Sequence, residues 1–163
     1  MQDKRWTIQP FDNTKALSLT SSLHVKDIYG QLLVLRDIDS FEDAKKFFRP
    51  EFSHLHDPFL MKDMEKAVQR IDAAIHNKEK ILIYGDYDVD GTTAVSITYS
   101  FLKEYYDHVG YYVPHRYREG YGISFAGIDY ARENNYSLII TLDCGIKAIE
   151  KISYANSLNI EVI

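Results

Sequence analysis

The 163-residue chain has a single cysteine and no long apolar run. Cys144 alone cannot form an internal disulfide or a cysteine-based zinc site, which agrees with a reducing compartment. No apolar stretch approaches the ~18 residues that a membrane span needs. The charged N-terminus is not followed by an apolar segment, so the sequence shows no secretory signal. We therefore predict a cytoplasmic protein with no membrane partner.

Three common ligand-binding motifs are also missing. The chain has no G-K-[ST] phosphate loop and no G-x-G-x-x-G dinucleotide motif after a strand. A calcium loop of the EF-hand type starting at Asp86 needs a glutamate at its twelfth position, where Ile97 stands. These absences argue against a phosphate-loop nucleotide site, a dinucleotide-binding site and an EF-hand calcium site.

Positive charge is scarce relative to negative charge. The chain has 19 Lys and Arg against 24 Asp and Glu, a net charge of -5. The domain as a whole therefore has no electrostatic attraction for nucleic acid. If the substrate is a polyanion, it must be held by local groups.

The chain shows two patterns of secondary structure. Up to residue 77 the apolar spacing predicts helices, and from residue 78 short apolar runs alternate with helical segments. We therefore predict an α/β protein in which residues 1–77 form a small helical lead-in and residues 78–163 form a parallel, doubly wound sheet. The predicted helices are 15–23, 26–35, 40–48, 61–75, 92–105, 125–134 and 147–158, and the predicted strands are 81–84, 110–113, 138–142 and 160–163.

Three carboxylates, Asp86, Asp88 and Asp90, follow the first predicted strand at alternating positions. Like charges this close together stay ionised only if a cation lies among them, and a hard divalent metal fits best. An exposed turn rich in aspartate and glycine is the other interpretation. In the metal interpretation, Gly91 makes a tight turn and a helix beginning at Thr92 presents N–H groups to a phosphate.

Two further loops are expected at the same edge of the sheet, because the carboxyl ends of parallel strands lie together. Asp143 follows strand 138–142, and we interpret it either as a shared ligand of a two-metal site or as the N-cap of the next helix. Loop 113–124 mixes arginines, tyrosines and glycines, and an arginine can bind phosphate through two hydrogen bonds while a tyrosine ring can stack on a base. A solvated turn with structural glycines is the alternative for this loop.

Three motifs resemble those of the DHH phosphoesterase superfamily, in particular its RecJ branch. They are Gly85-Asp-Tyr-Asp-Val-Asp-Gly-Thr-Thr93, Val113-Pro-His-Arg-Tyr-Arg-Glu-Gly-Tyr-Gly122 and Ile140-Thr-Leu-Asp-Cys-Gly145. The stretch from Phe47 to Met64 is similar to the helical lead-in of the same branch, so the resemblance covers most of the chain. On this resemblance, residues 78–163 are the N-terminal part of a DHH catalytic domain.

The resemblance implies a hydrolase: a single-stranded-DNA-specific 5′-to-3′ exonuclease that releases mononucleotides in DNA repair and recombination. It implies a two-ion Mn²⁺ or Mg²⁺ site, with metal ligands Asp86, Asp88, Asp90 and Asp143, of which Asp88, Asp90 and Asp143 are catalytic. The implied substrate-binding residues are Arg116, Gly120, Tyr121 and Gly122. The implied partners are single-stranded DNA, a single-strand-binding protein and a helicase.

The Asp-His-His triplet that names the superfamily does not occur in the chain, and none of the six histidines has a histidine neighbour. We therefore expect residues 1–163 to be an incomplete, N-terminal fragment that is inactive by itself and binds divalent metal weakly or not at all. One alternative is another phosphoesterase of the superfamily, acting on oligoribonucleotides, cyclic dinucleotides or pyrophosphate. The other is a non-catalytic module that binds nucleic acid or a replication complex.

Overall fold

The computed structural model describes residues 5–163, which form two compact units. The first unit extends to Pro58 and the second runs from Phe59 to Ile163. This division by compactness differs from the boundary between residues 77 and 78, which was drawn from sequence pattern and stays a prediction. Within the described residues, no helix is both long and apolar enough to cross a membrane.

The first unit is helical, as the apolar spacing predicted. Its elements are α1 (Asn13–Leu23), α2 (Asp27–Val34), α3 (Phe41–Phe48) and a 3-10 helix (Phe52–His54). Leu19, Leu33 and Ala44 form its small core. The Ser40 hydroxyl caps α3 by accepting a hydrogen bond from the Asp43 amide at 3.0 Å, which explains where this helix begins.

The second unit is a four-stranded parallel sheet with helices between the strands. Its elements are a 3-10 helix across the boundary (Pro58–Leu60), α4 (Met64–His76), β1 (Lys80–Gly85), α5 (Val89–Tyr105), β2 (Val109–Tyr112), α6 (Phe125–Glu133), β3 (Tyr136–Leu142), α7 (Ile149–Ser157) and β4 (Glu161–Val162). The strand order is β2-β1-β3-β4, and every pair is parallel. The predicted α/β class and parallel sheet are confirmed.

Helices cover both faces of the sheet because β1 and β3 carry apolar side chains on both sides. Alternate strand residues point to opposite faces, so each strand contributes to two cores. Leu82, Tyr84 and Ile139 pack with Ile128 of α6 and Ala155 of α7. On the opposite face, Ile81, Ile83, Leu138 and Ile140 pack with Ala74 of α4 and Val95 of α5.

Four predicted helix starts, those at residues 15, 61, 92 and 147, are wrong by two or three residues, and the last two bear on the candidate site. Helix α5 begins at Val89, three residues before Thr92, so Gly91 lies in its first turn rather than in a tight turn before it. The Thr92 amide donates to the Asp88 carbonyl at 2.9 Å and is not directed at a phosphate. Helix α7 begins at Ile149, which rules out Asp143 as its N-cap.

Glu79 connects separate parts of the second unit. Its Oε2 accepts hydrogen bonds from the guanidinium of Arg70 in α4 at 2.7 Å and from the hydroxyl of Ser137 in β3 at 2.6 Å. Arg70 also pairs with Glu161 in β4. The hydrogen bonds from Arg70 and then Ser137 hold the pKa of Glu79 below its ordinary value.

We predict that Glu79→Gln lowers the free energy of unfolding by roughly 1–2 kcal/mol near neutral pH, because it weakens hydrogen bonds to a charged group. A carboxylate with a lowered folded-state pKa stabilises the fold above its unfolded pKa, and this stabilisation is lost as pH falls through the folded pKa. Urea denaturation across this pH range should therefore show the difference from wild type shrinking in acid. Glu104→Gln, the same change at an exposed position, is the control, and a pH-independent difference contradicts the prediction.

Candidate functional site

The carboxyl ends of β1 and β3 bring two aspartates together at one edge of the sheet. Gly85, the last residue of β1, pairs with Leu142, the last residue of β3. Asp86 and Asp143 follow these paired residues directly, and the Asp86 amide donates to the Leu142 carbonyl at 3.4 Å. The parallel register thus aligns the acidic groups of two distant sequence motifs.

Asp86 is buried, with 1% of its surface exposed. Its Oδ1 accepts a hydrogen bond from the Gly122 amide at 3.1 Å. Its Oδ2 is buried too, and among the described residues it has no hydrogen-bond partner. Leaving a buried acceptor unsatisfied costs roughly 1–3 kcal/mol, and more for a charged group, so such an atom calls for a ligand.

Gly91 allows α5 to start against the backbone of Asp86. A β-carbon at Gly91 would lie 2.4 Å from the Asp86 carbonyl oxygen, closer than atoms can approach. Asp88 caps the helix, since its Oδ1 accepts from the Gly91 amide at 2.9 Å. Asp90 lies in the first turn, where the helix dipole favours negative charge. Both Asp88 and Asp90 are exposed at the surface.

Asp143 lies in the left-handed region with a φ of 56° and is exposed. Partial loss of solvation raises the pKa of its carboxyl, followed by the negative charges of Asp88, Asp90 and Asp86. The structure therefore brings all four predicted metal ligands into one electrostatic neighbourhood.

The four aspartates do not yet form a closed coordination site. In residues 5–163 no three His, Cys, Asp or Glu side chains lie close enough together to hold a metal ion. The structure shows neighbouring carboxylates, a shared repulsion and one unsatisfied oxygen. Their role as metal ligands stays a prediction.

The loop after β2 contacts the acidic groups at two points. The Tyr121 hydroxyl donates to the Asp143 carbonyl at 3.2 Å, and the Gly122 amide donates to Asp86. Gly122 has a φ of 74°, and a β-carbon there would lie 2.8 Å from the Cys144 carbonyl oxygen, so only glycine fits. Gly120 also has a positive φ, but nothing lies within 4 Å of the place of its β-carbon.

Arg116 is exposed, and its guanidinium lies over the ring of Tyr87, 5.3 Å from the centroid. Tyr87 belongs to the same acidic motif as Asp86 and Asp88. The contact joins the loop after β2 to the loop after β1 through a cation–π interaction. Sequence reasoning missed Tyr87, although its position between two candidate ligands could have drawn attention to it.

Cys144 lies in surroundings that suit a structural role and not a nucleophilic one. Its thiol is buried and donates to the Leu142 carbonyl at 3.2 Å. Burial raises its pKa to about 11, with a further contribution from the charge of Asp86. A thiol with this pKa stays protonated near neutral pH and is a poor nucleophile.

We predict that Asp88→Asn lowers the pKa of Asp143, because Asp88 is the strongest of the neighbouring charges that raise it. Asparagine is as good an N-cap as aspartate, so α5 should be preserved. Asp90→Asn should lower the same pKa less, since its charge contributes less. Carbon-detected NMR titration of the Asp143 carboxyl in EDTA measures both effects. Glu104→Gln is the control, and an unchanged Asp143 pKa in Asp88→Asn would refute the prediction.

Comparison with curated proteins finds sequence similarity to RecJ exonucleases. The chain is 42% identical over 159 residues to the single-stranded-DNA-specific exonuclease RecJ of Bacillus subtilis (strain 168), covering 98% of this chain and 20% of that protein. It is 34% identical over 101 residues to the exonuclease of the same name from Escherichia coli (strain K12), covering 61% of this chain and 18% of the other. The chain thus spans about a fifth of the length of these relatives.

Comparisons with solved structures and with family models point to the same family as the curated relatives. An exonuclease RecJ bound to manganese matches with a TM-score of 0.57 and 29% identity, over 63% of this chain and 26% of that one. RecJ in complex with Mn²⁺ from Thermus thermophilus shares the fold, with a TM-score of 0.65 and 21% identity over 91% of this chain and 20% of that one. The model for the DHH family, N-terminal domain, matches residues 80–163, just over half of the chain. The chain therefore belongs to the DHH family.

Proposed function

We propose that the chain carries half of the active site of a metal-dependent phosphodiesterase, a single-stranded-DNA-specific exonuclease that works 5′ to 3′ and releases mononucleotides in repair and recombination. The observation that carries this proposal is the buried Oδ2 of Asp86, which is unpartnered among the described residues and belongs to an aspartate whose charge, like those of Asp88 and Asp90, acts on Asp143. The RecJ relatives support the choice of single-stranded DNA as the substrate.

The donor chemistry at this edge fits Mn²⁺ or Mg²⁺. All the candidate donors are carboxylate oxygens, which hard divalent ions prefer, and both solved relatives are described with manganese. The residues that would hold a two-ion site are Asp86, Asp88, Asp90 and Asp143. When bound, the ions would supply Lewis acidity for water attack and neutralise charge on the phosphodiester.

The remaining residues of the site orient Asp86 and hold the DNA strand. Gly122 fixes one oxygen of Asp86, which leaves the other for a ligand. Arg116 supplies a guanidinium for a backbone phosphate, and Tyr121 supplies an exposed ring for a base. Because the domain is net negative, these local groups must hold the DNA strand.

The proposal extends to activity and partners. The chain alone is inactive, since no three-ligand group exists in the part that the structure describes and the sequence lacks an Asp-His-His triplet. A cytoplasmic location and interactions with a single-strand-binding protein and a helicase complete the proposed role. A non-catalytic binding module is the second candidate, favoured by the same open arrangement of carboxylates.

We predict that the chain binds Mn²⁺ weakly, with a Kd of about 10⁻⁴ to 10⁻³ M, as expected for open oxygen-ligand sites. Asp86→Asn should weaken binding at least ~10-fold, because it neutralises the buried donor with the free oxygen. Electron paramagnetic resonance titration measures free Mn²⁺ directly. Asp72→Asn, an exposed change on α4, should leave the affinity unchanged. Tight binding of two ions by the wild-type chain would contradict the proposed inactivity, and an unaffected Asp86→Asn would contradict the location of the site.

We predict that the chain becomes an active exonuclease when it replaces the matching segment of the Bacillus subtilis relative. The chimera should release mononucleotides from the 5′ end of single-stranded DNA with Mn²⁺, whereas the chain alone should release none. Asp143→Asn should reduce the chimera's rate by about 10³-fold or more, because a proposed ligand of the ions that stabilise charge on the reacting phosphate is lost. Asp72→Asn is the matched control.

The same assay separates the alternatives. A folded chimera that cleaves only oligoribonucleotides, cyclic dinucleotides or pyrophosphate would place this chain with another phosphoesterase. A folded chimera that binds single-stranded DNA without cleaving it would favour the binding module. Mononucleotide release by the chain alone would refute its inactivity.

A further inference from the structure

Glu119 ties together both ends of the loop after β2. Its Oε1 accepts a hydrogen bond from the His115 amide at 2.7 Å. Its Oε2 accepts from the Tyr112 hydroxyl at 2.9 Å and from the Ser124 hydroxyl at 2.6 Å. Tyr112 is the last residue of β2 and Ser124 is the N-cap of α6, so one half-buried carboxylate closes the loop 113–123.

A chain of hydrogen bonds continues from Glu119 to the buried aspartate. The Ser124 amide donates to the Tyr84 hydroxyl at 3.1 Å, and that hydroxyl donates to the Gly122 carbonyl at 3.1 Å. The Gly122 amide then donates to Asp86 Oδ1 at 3.1 Å. Through this chain, the position of the loop determines which oxygen of Asp86 is engaged and which is left free.

The contacts of Glu119 require a carboxylate. Three donors converge on it, and an ionised carboxylate is the side chain that accepts on both oxygens and donates nothing. An amide in its place would turn an N–H₂ group toward a donor. Partial burial raises the pKa of Glu119, but the hydrogen bonds from the His115 amide, Ser124 and Tyr112 bring it below the ordinary value.

We propose that Glu119 is a positioning residue that holds the loop after β2 against Asp86 and thereby places Arg116 and Tyr121 beside the aspartates. Among the hydrogen bonds and ion pairs of residues 5–163, the Glu119 carboxylate contacts Tyr112, His115 and Ser124 and no aspartate or arginine side chain, so it acts through the loop. This role in DNA binding rests on the proposed function, whereas its effect on the Gly122–Asp86 hydrogen bond does not.

Amide hydrogen exchange of Glu119→Gln tests the positioning role without any substrate. Exchange at Gly122 should accelerate about 10-fold or more, the effect of losing roughly one hydrogen bond to a charged group. Exchange at Ile83 and Ile139 in the central strands should change less than about threefold, because the sheet is untouched. Tyr112→Phe removes one donor only and should give a smaller acceleration at Gly122, which keeps the test valid if Glu119→Gln folds poorly. Glu104→Gln is the charge-matched control.

A double-mutant cycle tests whether Glu119 acts through Arg116. Fluorescence anisotropy with a 5′-phosphorylated oligothymidylate and Mn²⁺ measures binding to the chain. Arg116→Ala should weaken binding about 10-fold and Glu119→Gln about three- to tenfold, while the double variant should bind more weakly than Arg116→Ala only by the part of the Glu119 effect that acts through Tyr121, less than the product of the two single effects. A purely structural role would give additive effects.

The outcomes separate this inference from the proposed function. Equal acceleration at Gly122 and in the strands, or none at Gly122, would overturn the positioning role. Additive effects on binding would overturn the coupling to Arg116. Wild-type chain that fails to bind the oligonucleotide, with Gly122 exchange still selectively accelerated in Glu119→Gln, would count against the proposed function and leave the positioning role supported.

Discussion

The parallel pairing of β1 with β3 governs the rest of the second unit. Both strands are apolar on both faces, so the sheet must be covered by α4 and α5 on one side and by α6 and α7 on the other. Parallel strands also place all their carboxyl ends at one edge. The register that pairs Gly85 with Leu142 then forces the first residue beyond each strand into close proximity, and both residues are aspartates. A shift of this register would separate the acidic groups.

The acidic residues serve the fold and the site at the same time. Asp88 caps α5, and Asp90 lies where the helix dipole favours a negative charge. These interactions make two of the charges favourable locally even though the cluster is repulsive as a whole. The pKa of the Asp143 carboxyl, by contrast, is raised, first by lost solvation and then by the charges of its neighbours. The fold holds the group together, and a cation would remove the remaining repulsion.

The sequence was sufficient for the sheet but not for the local geometry around it. The apolar runs 81–84 and 138–142 contain almost no polar residue, so buried parallel strands were the natural prediction. The sequence predicts too late a start for α5, because aspartate and glycine at positions such as 88 and 91 are typical of turns. The hydrogen bond from the Gly91 amide, by which Asp88 caps the helix, is seen only in the structure. Tyr84, Glu119 and Ser124 were missed for another reason. Tyr84 is 40 residues from Ser124, and hydrogen bonds over such separations depend on tertiary structure that no local pattern encodes.

The glycines at positions 91 and 122 make the site vulnerable in a way that its charge does not reveal. Each packs where a β-carbon would collide with a backbone carbonyl, one from Asp86 and one from Cys144. A single methyl group at either position would displace backbone while leaving every ionisable residue in place. A mutation that leaves all the aspartates in place can therefore still abolish the site. In a survey of variants, these two glycines should tolerate substitution as poorly as the aspartates do.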